Sequence, residues 1–400
     1  MLPGGVPAGS PGPGPDSAGD PPTQVPVLPP ATGAWREGDP VGDRRFVTLP
    51  DPLPLESGSA LPDVTVAYES WGTFDGSNAV LVLHALTGDS HVVGPTGLGH
   101  PTPGWWAGII GPGRAIDTDR WFVVAPNVLG GCQGTTGPAS TAPDGRAWGS
   151  RFPRTSVRDQ VALEVRLADQ LGIGAWAAVL GGSMGGMRAV EWAVTHPDRV
   201  ERLLLLACCA AASADQIAWA SPQLAAIRED PNWCGGDYHE RERGQGPHLG
   251  LGVARRIAHA TYRTAEELDT RFGRRPQPGE DPYDAAAPGR FAVESYLDHH
   301  AEKLVHRFDA GSYVALTSAM NGHDVSRDRG SLADALGRVT ARTVVAGSTS
   351  DRLYPLSQQE ELAALIPGAG PVERIESPYG HDAFLIETTR LAEILSPLMD

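Results

Sequence analysis

Apolar residues along this chain follow two different rhythms, and the change between them predicts its architecture. The segment Asp63–Ser70 alternates apolar and polar side chains, as a half-buried strand does. Further short apolar segments have the length of buried strands: Ala79–His84, Trp121–Ala125, Trp176–Leu180, Leu203–Ala207, Ala341–Ala346 and Val372–Ile375. Helical patterns at Ser156–Leu171 and Met187–Thr195 lie between them. This alternation predicts an α/β fold with a mostly parallel sheet covered on both faces.

Between residues 208 and 335 the pattern becomes helical throughout. Apolar side chains there recur at helical spacing, as at Val293, Leu297, Ala301, Leu304 and Phe308. A separate helical domain would give the same pattern. We favour a lid inserted into the sheet domain, because strands resume near Arg342 and both ends of the insertion must therefore meet at the sheet. The predicted division is a core of residues 44–207 and 336–400 with a lid of residues 208–335.

The N-terminal segment has a composition unlike the rest. Residues 1–33 contain ten prolines and seven glycines with few large apolar side chains. Such a segment buries too little surface to offset its ordering entropy. We therefore expect residues 1–43 to be disordered, with a proline-rich docking arm as the alternative.

Composition narrows the class of protein. The 400 residues carry a net charge of −16, which argues against nucleic acid or an anionic membrane as partner. Four cysteines occur without a Cys-x-x-Cys spacing, so neither a disulfide framework nor a zinc site is predicted, and no metal is expected. No apolar run approaches the length of about 18 residues that crosses a membrane, and no secretory signal is recognisable. We expect a cytoplasmic protein.

The candidate nucleophile is Ser183, within the pattern Gly181-x-Ser183-x-Gly185. A predicted strand enters this pattern and a predicted helix leaves it, which is the context of a nucleophile elbow, where a sharp turn exposes one hydroxyl. Glycines two residues before and after the serine let strand and helix approach closely. A simple glycine-rich turn is the alternative for the pentapeptide alone.

An activated serine needs a base and a carboxylate that orients the base. Asp351 follows the predicted strand that ends at Ala346, and His381 follows the next strand, in the chain order that such hydrolases use. Taken alone, each has an ordinary alternative, such as a helix cap for the aspartate. Their order and their position at consecutive strand ends predict a catalytic triad of Ser183, Asp351 and His381.

Two backbone N–H groups are candidates for stabilising an oxyanion. Met184 follows the nucleophile directly, and Leu86 lies in the loop after the predicted strand Ala79–His84. His84 begins that loop and is interpreted as a structural residue.

Several longer motifs resemble those of the homoserine O-acyltransferases of the α/β-hydrolase superfamily, in particular the homoserine O-acetyltransferases of methionine biosynthesis. The similar stretches are His84–Gly94, Gly104–Asp119, Asn127–Pro138, Leu180–Trp192, Arg307–Asp324 and Ser377–Glu387. The resemblance covers about residue 45 to the C-terminus. It implies an α/β-hydrolase fold with an inserted helical lid, a ping-pong reaction through an acetylated Ser183, and a homodimer.

The same resemblance implies an acceptor site. Arg255, in the predicted lid, and Asp382, directly after the base, correspond to the family residues that bind the amino-acid substrate. A guanidinium suits the carboxylate of L-homoserine and a carboxylate suits its ammonium group. One departure is Gly311, where the family often has asparagine, which bears on fine substrate preference.

Other functions remain open from the residues. A homoserine O-succinyltransferase or a serine O-acyltransferase would use the same scaffold, although a succinyl donor should need a further cation. A carboxylesterase would share the acyl-enzyme and differ in the group that resolves it. A non-catalytic binding protein is a further alternative, although such proteins usually lose a triad member. Acetyl-CoA is expected as co-substrate, with no prosthetic group.

Overall fold

An eight-stranded sheet forms the centre of the molecule in a computed structural model that describes residues 28–400. Its strands are β1 (Arg45–Thr48), β2 (Thr65–Trp71), β3 (Ala79–Leu83), β4 (Phe122–Pro126), β5 (Ala178–Gly182), β6 (Arg202–Leu206), β7 (Arg342–Ser348) and β8 (Glu373–Ile375). Their spatial order is β1-β2-β4-β3-β5-β6-β7-β8, antiparallel at β1–β2 and β2–β4 and parallel elsewhere. The predicted α/β class and mostly parallel sheet are confirmed, although β5 begins two residues later than predicted.

Helices cover both faces of this sheet because each central strand is apolar on both sides. Leu81 and Leu203 belong to the core on one face, and Val80 and Leu204 belong to the core on the other. The α-helices within residues 28–400 are α1 (Val157–Gln170), α2 (Met184–Thr195), α3 (Ala214–Arg228), α4 (His248–Tyr262), α5 (Ala265–Arg271), α6 (Ala292–Val305), α7 (Ala310–Asn321), α8 (Leu332–Leu336), α9 (Leu356–Leu365), α10 (Ala383–Ile386) and α11 (Thr388–Met399). None of them combines the length and apolar character needed to cross a membrane.

Helices α3 to α7 lie within the segment that the sequence marks as a lid. Apolar side chains of this segment, including Ile227, Leu251 and Tyr313, share one core cluster with Leu86 and Met184. Leu86 and Met184 follow the carboxyl ends of β3 and β5, so the helical segment packs over the sheet edge where a parallel fold collects its functional residues. The division into core and lid stays a prediction.

The beginning of the described chain differs from the disorder expected for residues 1–43. Residues 1–27 lie outside the described residues, but residues 28–43 lie against the core and the helical segment. The N–H of Gly33 donates to the Phe308 carbonyl at 3.2 Å, and that of Trp35 donates to the Cys132 carbonyl at 2.9 Å. Thr32 Oγ1 donates to the buried Asp309 carboxylate at 2.8 Å. Backbone hydrogen bonds fix this stretch against the rest of the protein, in place of large buried apolar side chains.

A buried ion pair lies beneath the turn between β5 and α2. Arg188 Nη1 donates to Glu164 Oε1 at 2.6 Å, which joins α2 to α1, and Arg188 Nη2 donates to the His84 carbonyl at 2.7 Å. Trp192 Nε1 donates to the second carboxylate oxygen of Glu164 at 2.7 Å. Burial raises the pKa of Glu164 and lowers the pKa of Arg188. The pair therefore depends on its own hydrogen bonds and not on water.

Replacing Arg188 with methionine should lower the free energy of unfolding by about 3–5 kcal/mol, since the buried Glu164 carboxylate would lose its cation. Urea denaturation at pH 7 measures the change. Arg390→Met is the matched control, because Arg390 pairs with Glu373 at 2.7 Å on the exposed surface and should contribute about 1 kcal/mol or less. A loss no larger than that of the control would contradict the prediction, and adding Glu164→Leu should recover part of the loss.

Candidate active site

The turn between β5 and α2 gives Ser183 an unusual backbone conformation. Its φ is 55° and its ψ is −123°, a region that non-glycine residues rarely adopt. A Cβ on Gly181 would collide with the Gly185 carbonyl, and a Cβ on Gly185 would collide with the Leu83 carbonyl. The two glycines therefore permit the close approach of strand and helix that the sharp turn requires.

Three predicted residues meet at the carboxyl edge of the sheet. His381 Nε2 lies 2.9 Å from Ser183 Oγ, and His381 Nδ1 lies 2.7 Å from Asp351 Oδ2. All three residues are 5% exposed or less. Asp351 Oδ1 accepts the N–H groups of Leu353 and Tyr354, each at 2.9 Å, so one oxygen holds the loop and the other faces the imidazole. The geometry is that of a hydrogen-bonded Ser–His–Asp chain.

The electrostatics of His381 suit a base that can accept a proton. Burial lowers the pKa of its imidazole, whereas the carboxylates of Asp351 and Asp382 raise it by more. The net pKa lies above the ordinary imidazole value of 6.5. The aromatic ring of Tyr354 stacks on the imidazole with centroids 4.8 Å apart, and Phe384 contacts it edge-on at 5.6 Å. These contacts fix the ring plane.

The two candidate oxyanion donors, Leu86 and Met184, belong to one core cluster. Within residues 28–400 neither the Leu86 N–H nor the Met184 N–H donates to a protein acceptor. Both groups therefore stay candidates for binding an anionic oxygen. His84 instead supports this loop: its Nδ1 bonds the Ala85 carbonyl at 2.8 Å and its Nε2 accepts the Val128 N–H at 3.1 Å. Burial lowers the pKa of His84 to about 3, which keeps it neutral.

The structure separates two neighbouring arginines that the sequence left ambiguous. Arg255 on α4 turns towards the core, where its Nη1 donates to Thr87 Oγ1 at 3.3 Å. Arg256 turns the other way and pairs with Asp298 at 2.8 Å. Arg255 thus reaches the loop that carries Leu86.

Asp382 follows His381 and has an ion-pair partner that the sequence analysis did not identify. Arg263 Nε lies 3.2 Å from Asp382 Oδ2. Burial raises the pKa of Asp382, and the charges of Arg263, His381 and Arg255 counteract part of that rise. Arg263 is the first residue after α4 and follows Arg255 by eight residues. No local pattern in the sequence marks Arg263 as the partner of Asp382.

One group of metal-ligating side chains occurs in the described part of the chain. Donor atoms of Asp43, Glu69, His91 and His100 lie within 4.8 Å of one another. The two imidazoles stack nearly parallel with centroids 3.8 Å apart, so their in-plane lone pairs cannot converge on one ion. His91 Nδ1 bonds Glu69 at 3.0 Å, and His100 Nε2 accepts the Asp43 N–H at 2.9 Å. We interpret the group as a hydrogen-bond network.

Comparison with known proteins agrees with this geometry. Residues 78–388 match the family model of the alpha/beta hydrolase fold. A homoserine O-acetyltransferase of Thermobifida fusca (strain YX) is 69% identical over 372 residues, which are 92% of this chain and 97% of the relative. The solved homoserine O-acetyltransferase from Bacillus anthracis has a TM-score of 0.80 and 27% identity, covering 89% of this chain and 97% of that one.

A solved esterase is equally similar in structure. Esterase E22 has a TM-score of 0.79 and 26% identity over 89% of this chain and 99% of its own. The fold alone therefore does not separate a transferase from an esterase, and the sequence relationship decides. Because the match to the Thermobifida fusca protein is far closer and spans nearly the whole chain, this chain belongs to the homoserine O-acetyltransferase family of the α/β-hydrolase fold.

Proposed function

We propose that this protein transfers an acetyl group from acetyl-CoA to the side-chain hydroxyl of L-homoserine, a step of methionine biosynthesis. The observation that carries the proposal is the Asp382 carboxylate beside the base of a complete Ser–His–Asp chain. A triad alone would serve an esterase equally well. A carboxylate next to the base, with Arg255 across the site, suits an acceptor that carries both an ammonium and a carboxylate group.

In the first half-reaction, Ser183 Oγ attacks the thioester carbonyl while its proton passes to His381 Nε2. The Leu86 and Met184 N–H groups stabilise the oxyanion of the tetrahedral intermediate. The intermediate collapses by breaking the carbon–sulfur bond, and the proton on His381 passes to the leaving thiolate. The products are free CoA and an acetyl ester on Ser183, and Asp351 stabilises the transient imidazolium.

In the second half-reaction, His381 takes the proton of the homoserine hydroxyl as that oxygen attacks the acetyl ester. The new intermediate uses the same oxyanion donors, and its collapse returns the proton to Ser183 Oγ. O-acetylhomoserine leaves and the enzyme is restored. The steps balance with the two substrates and the residues of this chain alone.

A small cavity beside Leu86 is the candidate pocket for the acyl group. It has a volume of about 50 Å³ and lies between Leu86 and Met187 on the core and Trp219 and Tyr262 on the helical segment. The Tyr262 ring lies 5.6 Å from the His381 ring. None of the residues that line the cavity is an arginine, lysine or histidine. A succinyl carboxylate would therefore lack a cation there.

The proposal is tested by incubating the protein with L-homoserine and either acetyl-CoA or succinyl-CoA, with thiol release followed and products identified by mass. We expect O-acetylhomoserine with acetyl-CoA and little product with succinyl-CoA. Preferential O-succinylhomoserine would retain the mechanism and overturn the donor. Thiol release without an acylated amino acid would identify a hydrolase and overturn the proposed function.

We also propose a homodimer formed through the helical segment. Leu249 and Val253 lie one helical turn apart on α4 and are 73% and 42% exposed, and Ile217 and Trp219 on α3 are 40% and 37% exposed. A self-complementary contact would cover these apolar side chains in both copies. Sedimentation velocity should find a dimer for the wild type and a shift towards monomer for Leu249→Asp. A monomeric wild type would contradict this.

We further propose that the enzyme acts in the cytoplasm. All four cysteines are free, as suits a reducing compartment, and the acetyl-CoA that the reaction consumes is an intracellular metabolite. Recovery of the protein in an extracellular or periplasmic fraction of its host would contradict this assignment.

A further inference from the structure

Two guanidinium groups from different parts of the helical segment both donate to Thr87, in the loop that carries Leu86. Arg255 Nη1 donates to the Thr87 side-chain oxygen at 3.3 Å, and Arg307 Nη1 donates to the Thr87 carbonyl at 2.9 Å. Arg307 follows α6 and begins one of the motifs that the mechanism above leaves unused. Both residues are only partly buried.

Neither guanidinium is neutralised by the protein around it. Within residues 28–400 no carboxylate oxygen lies within ion-pair distance of either group, and the Nε atoms of both are buried without a hydrogen-bond partner. The neighbouring arginines behave differently, since Arg256 pairs with Asp298 at 2.8 Å and Arg263 pairs with Asp382 at 3.2 Å. Of these four arginines, Arg255 and Arg307 are therefore the two without a carboxylate partner.

Placing two like charges side by side in a desolvated site is costly. Burial lowers the pKa of Arg307, the charge of Arg255 lowers it further, and the more distant Asp89 offsets only part of this. Binding an anion between the two groups would relieve the repulsion and satisfy the unused N–H donors. The arrangement is what a carboxylate-binding site requires.

We propose that Arg307 is the second cation of the acceptor site and binds the α-carboxylate of L-homoserine together with Arg255. This inference rests on the proposed function. Thr87 directly follows Leu86, and consecutive Cα atoms are about 3.8 Å apart. A carboxylate held above Thr87 therefore lies within the length of one amino acid from the acetyl carbonyl, while Asp382 receives the ammonium group.

The test compares L-homoserine with L-homoserine amide, which lacks the negative charge, as acceptors for the Arg307→Met and Arg307→Lys variants. Loss of a charge-assisted hydrogen bond should lower kcat/KM for L-homoserine by about 10- to 100-fold, mainly through KM. The kcat/KM for the amide should change little, because its uncharged group forms no ion pair with the Arg307 guanidinium. The burst of thiol release that accompanies acetylation of Ser183 should keep its rate. Arg256→Met is the matched control and should leave both acceptors unaffected.

Two results would overturn the inference. Equal losses with both acceptors, together with a slower burst, would mean that Arg307 only holds the Thr87 loop. A higher KM for acetyl-CoA with an unchanged KM for L-homoserine would mean that the anion belongs to CoA. Failure of the wild type to make O-acetylhomoserine would instead overturn the proposed function, so the two failures are distinguishable.

Discussion

Replacing Ser183 with alanine should lower kcat for acetyl transfer by about 10⁴- to 10⁶-fold. The variant loses only the Oγ that lies 2.9 Å from His381 Nε2. Without that oxygen no acetyl ester can form on the enzyme, and the acceptor would have to attack the thioester directly. Alanine keeps the Cβ, so the backbone at φ 55° is no more strained than in the wild type and the fold should persist.

Intact-mass measurement after mixing with acetyl-CoA alone checks this prediction. The wild type should gain the mass of one acetyl group, and Ser183→Ala should gain none. Ser57→Ala, at an exposed serine, is the control and should acetylate normally. An acetyl group on the Ser183→Ala protein, transferable to L-homoserine, would identify a different nucleophile.

The approach of the three triad side chains could be predicted from the sequence because it depends on topology. Parallel strands end at the same edge of a sheet, so residues that follow the ends of β5, β7 and β8 must lie near one another. Glycines at positions 181 and 185 mark the turn that raises Ser183. The catalytic roles of the three triad residues stay predictions.

The direction of individual side chains was harder to predict. Adjacent arginines on α4 point to opposite sides, and only the packing of α4 against α3 and α6 decides that Arg255 meets Thr87 while Arg256 meets Asp298. The pairing of Asp382 with Arg263 joins segments more than 100 residues apart. Such long-range contacts leave no local pattern in the sequence.

The disorder predicted for Leu28–Asp43 does not agree with the structure, and the reason is physical. Composition predicts disorder when few large apolar side chains are available for burial. This stretch instead uses backbone hydrogen bonds and small residues: Ala31 and Ala34 are buried, and a Cβ on Gly33 would lie 2.6 Å from the backbone nitrogens of Arg307 and Phe308. Amino-acid composition alone does not predict that a segment becomes ordered by packing against other parts of the molecule.

Replacing Asp351 with asparagine should lower kcat/KM by about 10⁴-fold, because a carboxamide no longer holds the imidazole in the tautomer that accepts the serine proton. The Oδ1 contacts with the Leu353 and Tyr354 N–H groups can be kept by the asparagine oxygen, so the loop should survive. Asp119→Asn, at an exposed carboxylate, is the control and should retain full activity.

The same substitution should also move the pH dependence, which separates a role in proton transfer from general damage. The base must be neutral to act, so wild-type kcat/KM should fall as pH drops through a His381 pKa that lies above 6.5. Burial lowers that pKa and the Asp351 carboxylate raises it, so removing the carboxylate leaves burial to act with only Asp382 opposing it. The acid limb of Asp351→Asn should therefore shift to lower pH, and its residual activity should persist under conditions where the wild type has already lost most of its own.

Profiles of kcat/KM from about pH 5 to 9 measure both limbs. An unshifted acid limb would mean that the titrating group is not the His381–Asp351 pair.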